Sequence, residues 1–195
     1  MTAIYWVARH YLEIGNPEYI GFDHYRRFLN WHPEWLSPGR VIARRWFSWR
    51  RLRNQYANCH NIADLDRFSE RFIRELGTQH TDYEAYWKTH GFYICNMFIM
   101  HRNDFMRYSE FILRCIRILR ELETERPFSS ENAYQARTPG FILEALTSYW
   151  IWHEKREKRI QVIPSTIAHF DIENTINASG TVKRKGFLWP LRQAY

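Results

Sequence analysis

The segment that most constrains the fold of this chain lies near its middle, at residues 91–123. Residues 91–101, GFYICNMFIMH, are apolar almost throughout, which is typical of a strand buried on both faces of a sheet. After Asn103, a candidate N-cap, apolar side chains recur at three- and four-residue steps through residues 104–123 and predict an amphipathic helix. A central strand followed by a long helix favours an α/β fold.

The remaining pattern predicts more helices than strands. Further helices are expected at residues 2–14, at residues 62–76 before Gly77, just after a capping-box pattern at residues 81–84, and at residues 141–153. Short strands are expected at residues 18–23 and 160–163. Residues 31–53 and 127–139 have the composition of loops. So few strands suggest that part of the sheet is missing from the chain or supplied from elsewhere.

Length and composition fit one domain with a short tail. The chain has 195 residues, of which 45% are apolar, so we assign residues 1–170 to the domain and the basic residues 171–195 to a partly disordered tail. The net charge of +7 favours acidic partners: phosphorylated cofactors, nucleic acid or an anionic membrane. Three widely spaced cysteines and the lack of a secretory or membrane-spanning pattern favour a cytoplasmic protein, with peripheral membrane contact left open.

The first candidate site follows the strand expected at residues 18–23. Asp23 and His24 offer a carboxylate and an imidazole for a divalent metal. Arg26 and Arg27 offer guanidinium groups for a diphosphate. Both kinds of group would stabilise the negative charge on a departing nucleotide. A polar turn with an Asp–Arg pair explains the same residues equally well.

Two further polar residues stand out against apolar surroundings. Asn96 interrupts the apolar strand, so its amide either bonds within the core or faces a ligand. Glu144 lies at the start of the helix expected at residues 141–153. A carboxylate there is stabilised by backbone amides, or it acts as a general base on an acceptor hydroxyl. Arg137, in the preceding loop, either pairs with Glu144 or binds phosphate.

The region between residues 44 and 64 contains further candidates. Tyr56, His60 and Asp64 are candidates for an acceptor pocket, although a histidine at a helix entrance is more often a capping or solvated residue. The stretch RRWFSWRRLR at residues 44–53 mixes arginines with large aromatic side chains. This mixture is typical of a membrane-surface patch, of a nucleic-acid patch, or of a solvated loop whose tryptophans pack in the core.

Taken together, several segments resemble a family of bacterial capsular and exopolysaccharide glycosyltransferase-like proteins, a domain of unknown function with a His-Tyr-Arg-Arg core. The resemblance spans roughly residues 2–165 and is carried by HYRR at 24–27, NMFIM at 96–100 and RTPGFILE at 137–144. It implies a GT-A-like (Rossmann-like) nucleotide-sugar transferase core, helix-rich, with a small mixed sheet. Family members carry a longer N-terminal part, so the chain is expected to be N-terminally short and to lack the first strands.

The resemblance also implies a role for each candidate residue. His24 and Glu144 are the expected catalytic residues, and Asp23 is the expected ligand of Mn²⁺ or Mg²⁺, although the family more often has a non-acidic residue there. The donor, a nucleotide-diphosphate sugar, is expected to contact Tyr25, Arg26, Arg27, Asn96 and Arg137. The acceptor, a free or lipid-linked glycan, is expected to contact Tyr56, His60 and Asp64.

The implied activity is transfer of a sugar to a glycan in capsular, exopolysaccharide or O-antigen synthesis, in the cytoplasm or at the inner face of the plasma membrane. Nucleic acid is not an expected partner of such an enzyme, and self-association is compatible with a thin sheet. The alternatives are a non-enzymatic basic module that binds nucleic acid or anionic membrane, and an inactive truncated remnant.

Overall fold

Two sheets organise the fold in the computed structural model, which describes residues 2–24, 27–129 and 132–169. Their strands are β1 (Tyr19–Phe22), β2 (Arg27–Leu29), β3 (Arg40–Phe47), β4 (Gly91–His101), β5 (Gln161–Pro164) and β6 (Ile167–His169). Within these residues, a four-stranded mixed sheet has the order β1–β4–β3–β5, and β2 pairs with β6. Neighbouring strands run antiparallel, except that β5 runs parallel to β3.

The interior position of β4 confirms the prediction from its apolar sequence. It pairs with β1 along one edge and with β3 along the other. Phe98 and Met100 belong to the larger apolar cluster of the molecule, whereas Met97 and Ile99 belong to a separate, smaller cluster. Because its side chains alternate between these two clusters, β4 is buried on both faces, and apolar residues are required along nearly its whole length.

Helices cover one face of the four-stranded sheet. They are α1 (Thr2–Arg9), α2 (Leu52–Cys59), α3 (Ile62–Leu76), α4 (Tyr83–Trp87), α5 (Arg102–Glu125) and α6 (Thr138–Arg156), with short 3₁₀ helices at Pro33–Trp35 and Gln135–Arg137. The apolar sides of these α-helices contribute to the larger cluster with Phe98 and Met100. Leu29 belongs to the smaller cluster at the other face, and Leu36 and Ile167 pack against it.

Most helix positions agree with the sequence pattern, and the differences have local causes. Helix α3 has the predicted bounds, while α5 and α6 each extend beyond theirs. Helix α1 ends at Arg9 rather than at residue 14, because the chain turns over residues 11–15 and Asn16 takes a positive φ of 51°. Asn103 is not the N-cap of α5, since His101 precedes the helix and its Nδ1 accepts the Asn103 N–H at 3.3 Å.

The largest error of the sequence interpretation concerns residues 40–47, which fall in a stretch predicted as a loop but form β3. Arg44 and Trp46 on one face are half-buried, whereas Arg45 and Phe47 on the other are exposed. Each face therefore carries one cation and one ring, so no alternation of polar and apolar residues marks the strand. Its hydrogen-bond partners are β4 and, along residues 40–43, also β5. Counting β3, the sheet has more strands than the sequence indicated.

Three further predictions concern the loop after residue 23, the C-terminal tail and membrane-spanning segments. The exit loop expected after residue 23 contains the three-residue strand β2, which is too short to leave a pattern. The tail predicted at residues 171–195 lies outside the described residues. No helix in the described ranges is both long and apolar enough to cross a membrane.

Phe98→Ala should destabilise the protein strongly, because Phe98 is fully buried and its ring lies 5.0 Å from that of Tyr108 and 5.4 Å from that of Phe22. We expect a loss of about 3–5 kcal/mol in the free energy of unfolding, measured by urea denaturation. The matched control is Phe47→Ala at an exposed position of β3, which should change stability by only about 0.5 kcal/mol. Equal effects would contradict the placement of β3 and β4.

Candidate active site

The first predicted motif forms a tight turn between β1 and β2. The backbones of His24 and Arg27 bond to each other in both directions at 3.0 Å, and the intervening Tyr25 and Arg26 lie outside the described residues. Asp23 is exposed, and its Oδ1 accepts the backbone N–H of Leu29 at 3.0 Å. Asp23 therefore ties the two strands together across the turn that carries Arg27.

A bulge in β4 brings the second motif next to the first. Where the register of β3 and β4 shifts, residues 94–97 of β4 stand opposite a single residue of β3. Cys95 and Asn96 have positive φ values of 64° and 53°, which cost non-glycine residues roughly 1–2 kcal/mol each. The bulge removes Cys95 from the regular pairing of the sheet.

Glu144 of α6 is held by this bulge. The backbone N–H of Cys95 donates to Glu144 Oε1 at 2.6 Å, and Arg27 Nη1 donates to Cys95 Sγ at 2.9 Å. Three segments that are far apart in sequence therefore meet: the turn after β1, the bulge of β4 and the first half of α6. Arg27 is not paired with Asp23 in the described contacts; it reaches across to β4 instead.

The surroundings of Glu144 favour its protonated form more than water does. Burial raises the pKa of this carboxyl, while the Cys95 N–H and the charges of Arg27 and Arg137 act in the opposite direction. Because α6 begins at Thr138, Glu144 lies beyond the first turn, where the helix dipole expected from the sequence has little effect. A strand N–H, rather than the amides of its own helix, orients the carboxylate.

Glu144 also lines a pocket with aromatic walls. The wall includes Trp46, Tyr56, Tyr86, Trp87, Phe92 and Phe141, with Gln55 and His60 as further polar members. Two of the three predicted acceptor residues, Tyr56 and His60, are therefore in the same pocket as the predicted base. Asp64 is not part of the pocket wall; it is buried at the start of α3 and accepts the backbone N–H of Ser129 at 2.9 Å.

His60 stands within a stack of rings at this pocket. Its centroid lies 4.0 Å from that of Phe141, 4.7 Å from that of Tyr56 and 5.7 Å from that of Tyr134. Burial lowers the pKa of His60 to about 4, so the ring is neutral at pH 7. His60 Nδ1 and the Tyr56 hydroxyl are buried with no hydrogen-bond partner among the described residues. Both atoms are therefore available to bond a ligand or a water in the pocket.

Asn96 and Arg137 lie beside Glu144 but not in the pocket wall. Asn96 follows Cys95 in the bulge, and its buried Oδ1 has no hydrogen-bond partner within the described part of the chain. Arg137 is exposed, its guanidinium carbon lies 5.4 Å from the ring centroid of Phe141, and its charge acts on the carboxyl of Glu144. Of the predicted donor residues, Arg27 and Arg137 therefore act on Glu144 through their charges, and Asn96 follows the residue whose N–H binds it.

One group of candidate metal ligands occurs among the residues the structure describes, and none of its members lines the pocket. Ligand atoms of Asp82, His153 and Glu157 lie within 4.8 Å of one another. Both oxygens of Asp82 contact His153 Nδ1, at 2.9 and 3.0 Å, and Arg159 Nη2 lies 2.9 Å from His153 Nε2. Arg156 is 3.8 Å from Asp82. With both ring nitrogens engaged and two guanidinium groups adjacent, this group does not fit a cation; it joins α4 to α6.

Comparison with known proteins adds the family. Residues 1–156 match the family described as "Domain of unknown function (DUF4422)". The chain belongs to the DUF4422 family. The glycosyltransferase-like character expected from the sequence rests on the next comparison, because no curated protein is significantly similar to the chain.

Among solved structures, this DUF4422 chain is similar to the apo form of the WbbM bifunctional glycosyltransferase. The TM-score is 0.70, with 21% identity over 85% of the chain. The chain spans 35% of the length of that protein. At this identity the likeness establishes the fold: the predicted helix-rich α/β fold with a small mixed sheet is confirmed as one shared with a glycosyltransferase.

Sequence reasoning missed two parts of this DUF4422 site. The first is the contact between Arg27 and Cys95, which joins the turn to the bulge and leaves no pattern in the sequence. The second is the wall formed by Trp46, Trp87 and Phe92. Trp46 was detectable, because a strand at residues 40–47 would have placed it on the face opposite Phe47. The sequence analysis also allowed a solvated loop at residues 44–53 with both tryptophans packed in the core. This alternative is wrong for Trp49, which is 93% exposed.

Asn96→Gly should stabilise the protein by about 1 kcal/mol, because glycine adopts a φ of 53° without strain and the unmet amide is removed. Lys158→Gly is the matched control, since Lys158 is exposed and has a φ of 58°; it reports the relief of strain alone. Both are measured by urea denaturation. Destabilisation by Asn96→Gly, with stabilisation by Lys158→Gly, would show that the Asn96 amide makes a bond that supports the fold.

Stability should fall as the pH drops from 6.5 toward 4. Burial lowers the pKa values of His60 and His80 to about 4, whereas an unfolded chain binds these protons near pH 6.5. The unfolded state thus holds more protons in this window, and the free energy of unfolding decreases with falling pH. His60→Phe, which retains a ring beside Phe141, should flatten this dependence in thermal melts. The exposed-residue control His32→Gln should not; equal slopes in both variants would contradict the burial of His60.

Proposed function

We propose that this chain is a glycosyltransferase that moves a sugar from a nucleotide-diphosphate donor to a glycan acceptor in capsular, exopolysaccharide or O-antigen synthesis. One observation carries the proposal: Glu144, a half-buried carboxyl whose pKa is raised, is oriented by the Cys95 N–H in the wall of an aromatic pocket. The fold shared with WbbM, a bifunctional glycosyltransferase, supports it.

Glu144 is the proposed general base. Transfer to an acceptor hydroxyl requires that its proton be removed as the glycosidic bond forms, and a carboxylate whose pKa is raised toward neutral is better matched to this task. The bond from Cys95 to Oε1 fixes the orientation of the carboxylate. The strained bulge, which delivers that N–H, is then part of the positioning of the base.

The donor is proposed to lie on the arginine side of Glu144. The positive charges of Arg27 and Arg137 act on the Glu144 carboxyl and oppose the rise in its pKa that burial causes. Guanidinium groups bind phosphate oxygens in a forked geometry. Tyr25 and Arg26 adjoin Arg27 in sequence, and His24 is bonded to it through the backbone. We assign these groups to the diphosphate, whose charge they would stabilise as it leaves. We assign the unmet Oδ1 of Asn96 to a hydroxyl of the donor sugar.

A divalent metal, Mn²⁺ or Mg²⁺, is part of the proposal through Asp23 and His24. Mg²⁺ is commonly held by one or two carboxylates together with substrate phosphates. The exposed Asp23 offers a carboxylate on the turn that carries Arg27, so the residues present suit a metal shared with the diphosphate. Such a metal would offset the negative charge of the departing nucleotide.

The acceptor is proposed to bind in the aromatic pocket, where a mostly apolar wall with a few convergent polar groups suits a sugar ring. The Tyr56 hydroxyl and His60 Nδ1, both unmet among the described residues, would bond its hydroxyls. Asp64 stays a prediction as an acceptor contact, because it lies outside the pocket wall. The acceptor is a free or lipid-linked glycan, and the reaction is placed in the cytoplasm with peripheral contact at the inner face of the plasma membrane.

Glu144→Gln should reduce sugar transfer by about 10²–10⁴-fold, because an amide cannot take the acceptor proton. Its side-chain oxygen can still accept the Cys95 N–H, so the melting temperature should change little. Transfer is measured with labelled nucleotide-diphosphate sugars, Mn²⁺ and a glycan acceptor. Wild-type activity should rise with pH through a value above the ordinary carboxyl range, as the pKa of Glu144 requires.

The matched control is Glu110→Gln on α5, an exposed carboxylate with no ion pair among the described residues; it should retain full activity. Undiminished transfer by a folded Glu144→Gln variant would remove Glu144 from the proposal. Absence of transfer by the wild-type protein with every donor would favour the non-enzymatic alternative.

A further inference from the structure

Within residues 44–53, the two most exposed aromatic side chains form a pair on one surface. Trp49 is 93% exposed and Phe47 is 59% exposed, and their rings contact edge to face with centroids 6.2 Å apart. Single exposed apolar residues are normal on soluble proteins, but two adjacent aromatic rings left in water indicate a surface that meets a partner. We refer to residues 45–51 as the aromatic–arginine turn.

The aromatic–arginine turn is held in place by hydrogen bonds at both ends. The backbone N–H of Ser48 donates to the His90 carbonyl at 2.6 Å, and that of Leu52 donates to the Thr89 carbonyl at 2.8 Å. The Ser48 hydroxyl, which is buried, accepts the Arg50 N–H at 3.1 Å and lies 3.3 Å from Gln55 Oε1. The rings are thus presented by a fixed backbone, which reduces the entropy lost on binding.

The charge around these rings is positive. Residues 44–53 contain five arginines and no acidic residue. Arg50 and Arg51 are exposed and make no ion pair with any part of the chain that the structure describes, while Arg53 is paired with Asp66 at 2.6 Å. Arg45 is exposed on the same face of β3 as Phe47. Arg45 and Phe47 therefore share one exposed face, and Arg50 and Arg51 follow Trp49 directly in the sequence.

We propose that the aromatic–arginine turn binds an anionic lipid surface, with Trp49 and Phe47 entering the interfacial layer and Arg50 and Arg51 contacting lipid phosphates. Aromatic rings flanked by arginines are suited to this layer, because the rings prefer its depth and the cations its charge. Nucleic acid fits less well. Phe47 and Trp49 are inclined at 82°, and one face of Phe47 is already stacked on His90 at 5.8 Å, so the two rings do not form a joint platform for successive parallel bases.

The turn adjoins the pocket assigned to the acceptor. Trp46 precedes Phe47 on β3 and points to the opposite side, into the pocket wall, and Leu52 and Gln55 just after the turn also line it. Binding of the turn to lipid would therefore hold the pocket beside the headgroup layer, where a lipid-linked glycan is presented. This last consequence rests on the proposed function; lipid binding itself does not.

The test is sedimentation of the full 195-residue chain with vesicles of phosphatidylglycerol and phosphatidylcholine, and with vesicles of phosphatidylcholine alone. We expect binding to the anionic vesicles, weakened by salt. Trp49→Ser should weaken it at least about tenfold, and Arg50→Glu with Arg51→Glu about thirtyfold. The matched controls are Trp31→Ser, and Arg74→Glu with Arg120→Glu, which make the same changes at other exposed positions and should leave binding intact.

Failure of the wild-type protein to sediment with anionic vesicles at low salt would overturn the proposal, as would equal losses in the Trp49 and Trp31 variants. Displacement from the vesicles by a single-stranded oligonucleotide that binds more tightly, in a Trp49-dependent way, would assign the surface to nucleic acid instead. Because no sugar donor is present, this result is independent of the sugar-transfer assay. Glu144→Gln should bind vesicles like the wild-type protein.

Discussion

The hydrogen bond from the Cys95 backbone to Glu144 depends on how β4 is held at its two ends. Regular pairing with β1 and β3 fixes the second half of the strand, and pairing with β3 alone fixes its first half. The residues in excess between these two halves have to leave the ladder, and they do so at residues 94–97. The amide of Cys95 is thereby turned from the sheet to Glu144 on α6, 2.6 Å away. The contact of Arg27 with Cys95 Sγ depends on the same residue.

The bulge also contains features that lower the stability of the chain. Two adjacent non-glycine residues take positive φ values there, and the Oδ1 of Asn96 is buried without a partner among the described residues. Tyr56 and His60 add further unmet polar atoms across the pocket. Such departures from a well-satisfied interior tend to cluster at functional sites, since selection for stability alone would remove them. Their position beside a carboxyl of raised pKa is what the proposed transferase would require.

The sequence predicted best those strands and helices whose buried faces leave a regular pattern of apolar residues. The pattern located β4, α3, α5 and α6, because each buries one regular face or two. It also singled out the turn at Arg27, the strand break at Asn96 and Glu144, three segments that the structure brings into contact. It could not predict the bulge geometry, because positive φ at Cys95 follows from the register between strands and not from local preference. Asp64 fell outside the pocket because its carboxylate serves the backbone of Ser129.

The sequence of β3 shows no alternation of polar and apolar residues, and the reason lies in what its two faces contact. A strand with one face in the core and one in water shows alternating polarity, but the second half of β3 has core on neither side. Within the aromatic–arginine turn, Trp46 lines the pocket, whereas Arg45 and Phe47 are on the exposed face. Under the proposed function, one side of this half-strand serves a sugar and the other a lipid surface, and both need rings together with cations or polar groups. A segment that meets two ligands in this way loses its periodicity, because each face is composed for binding and not for packing.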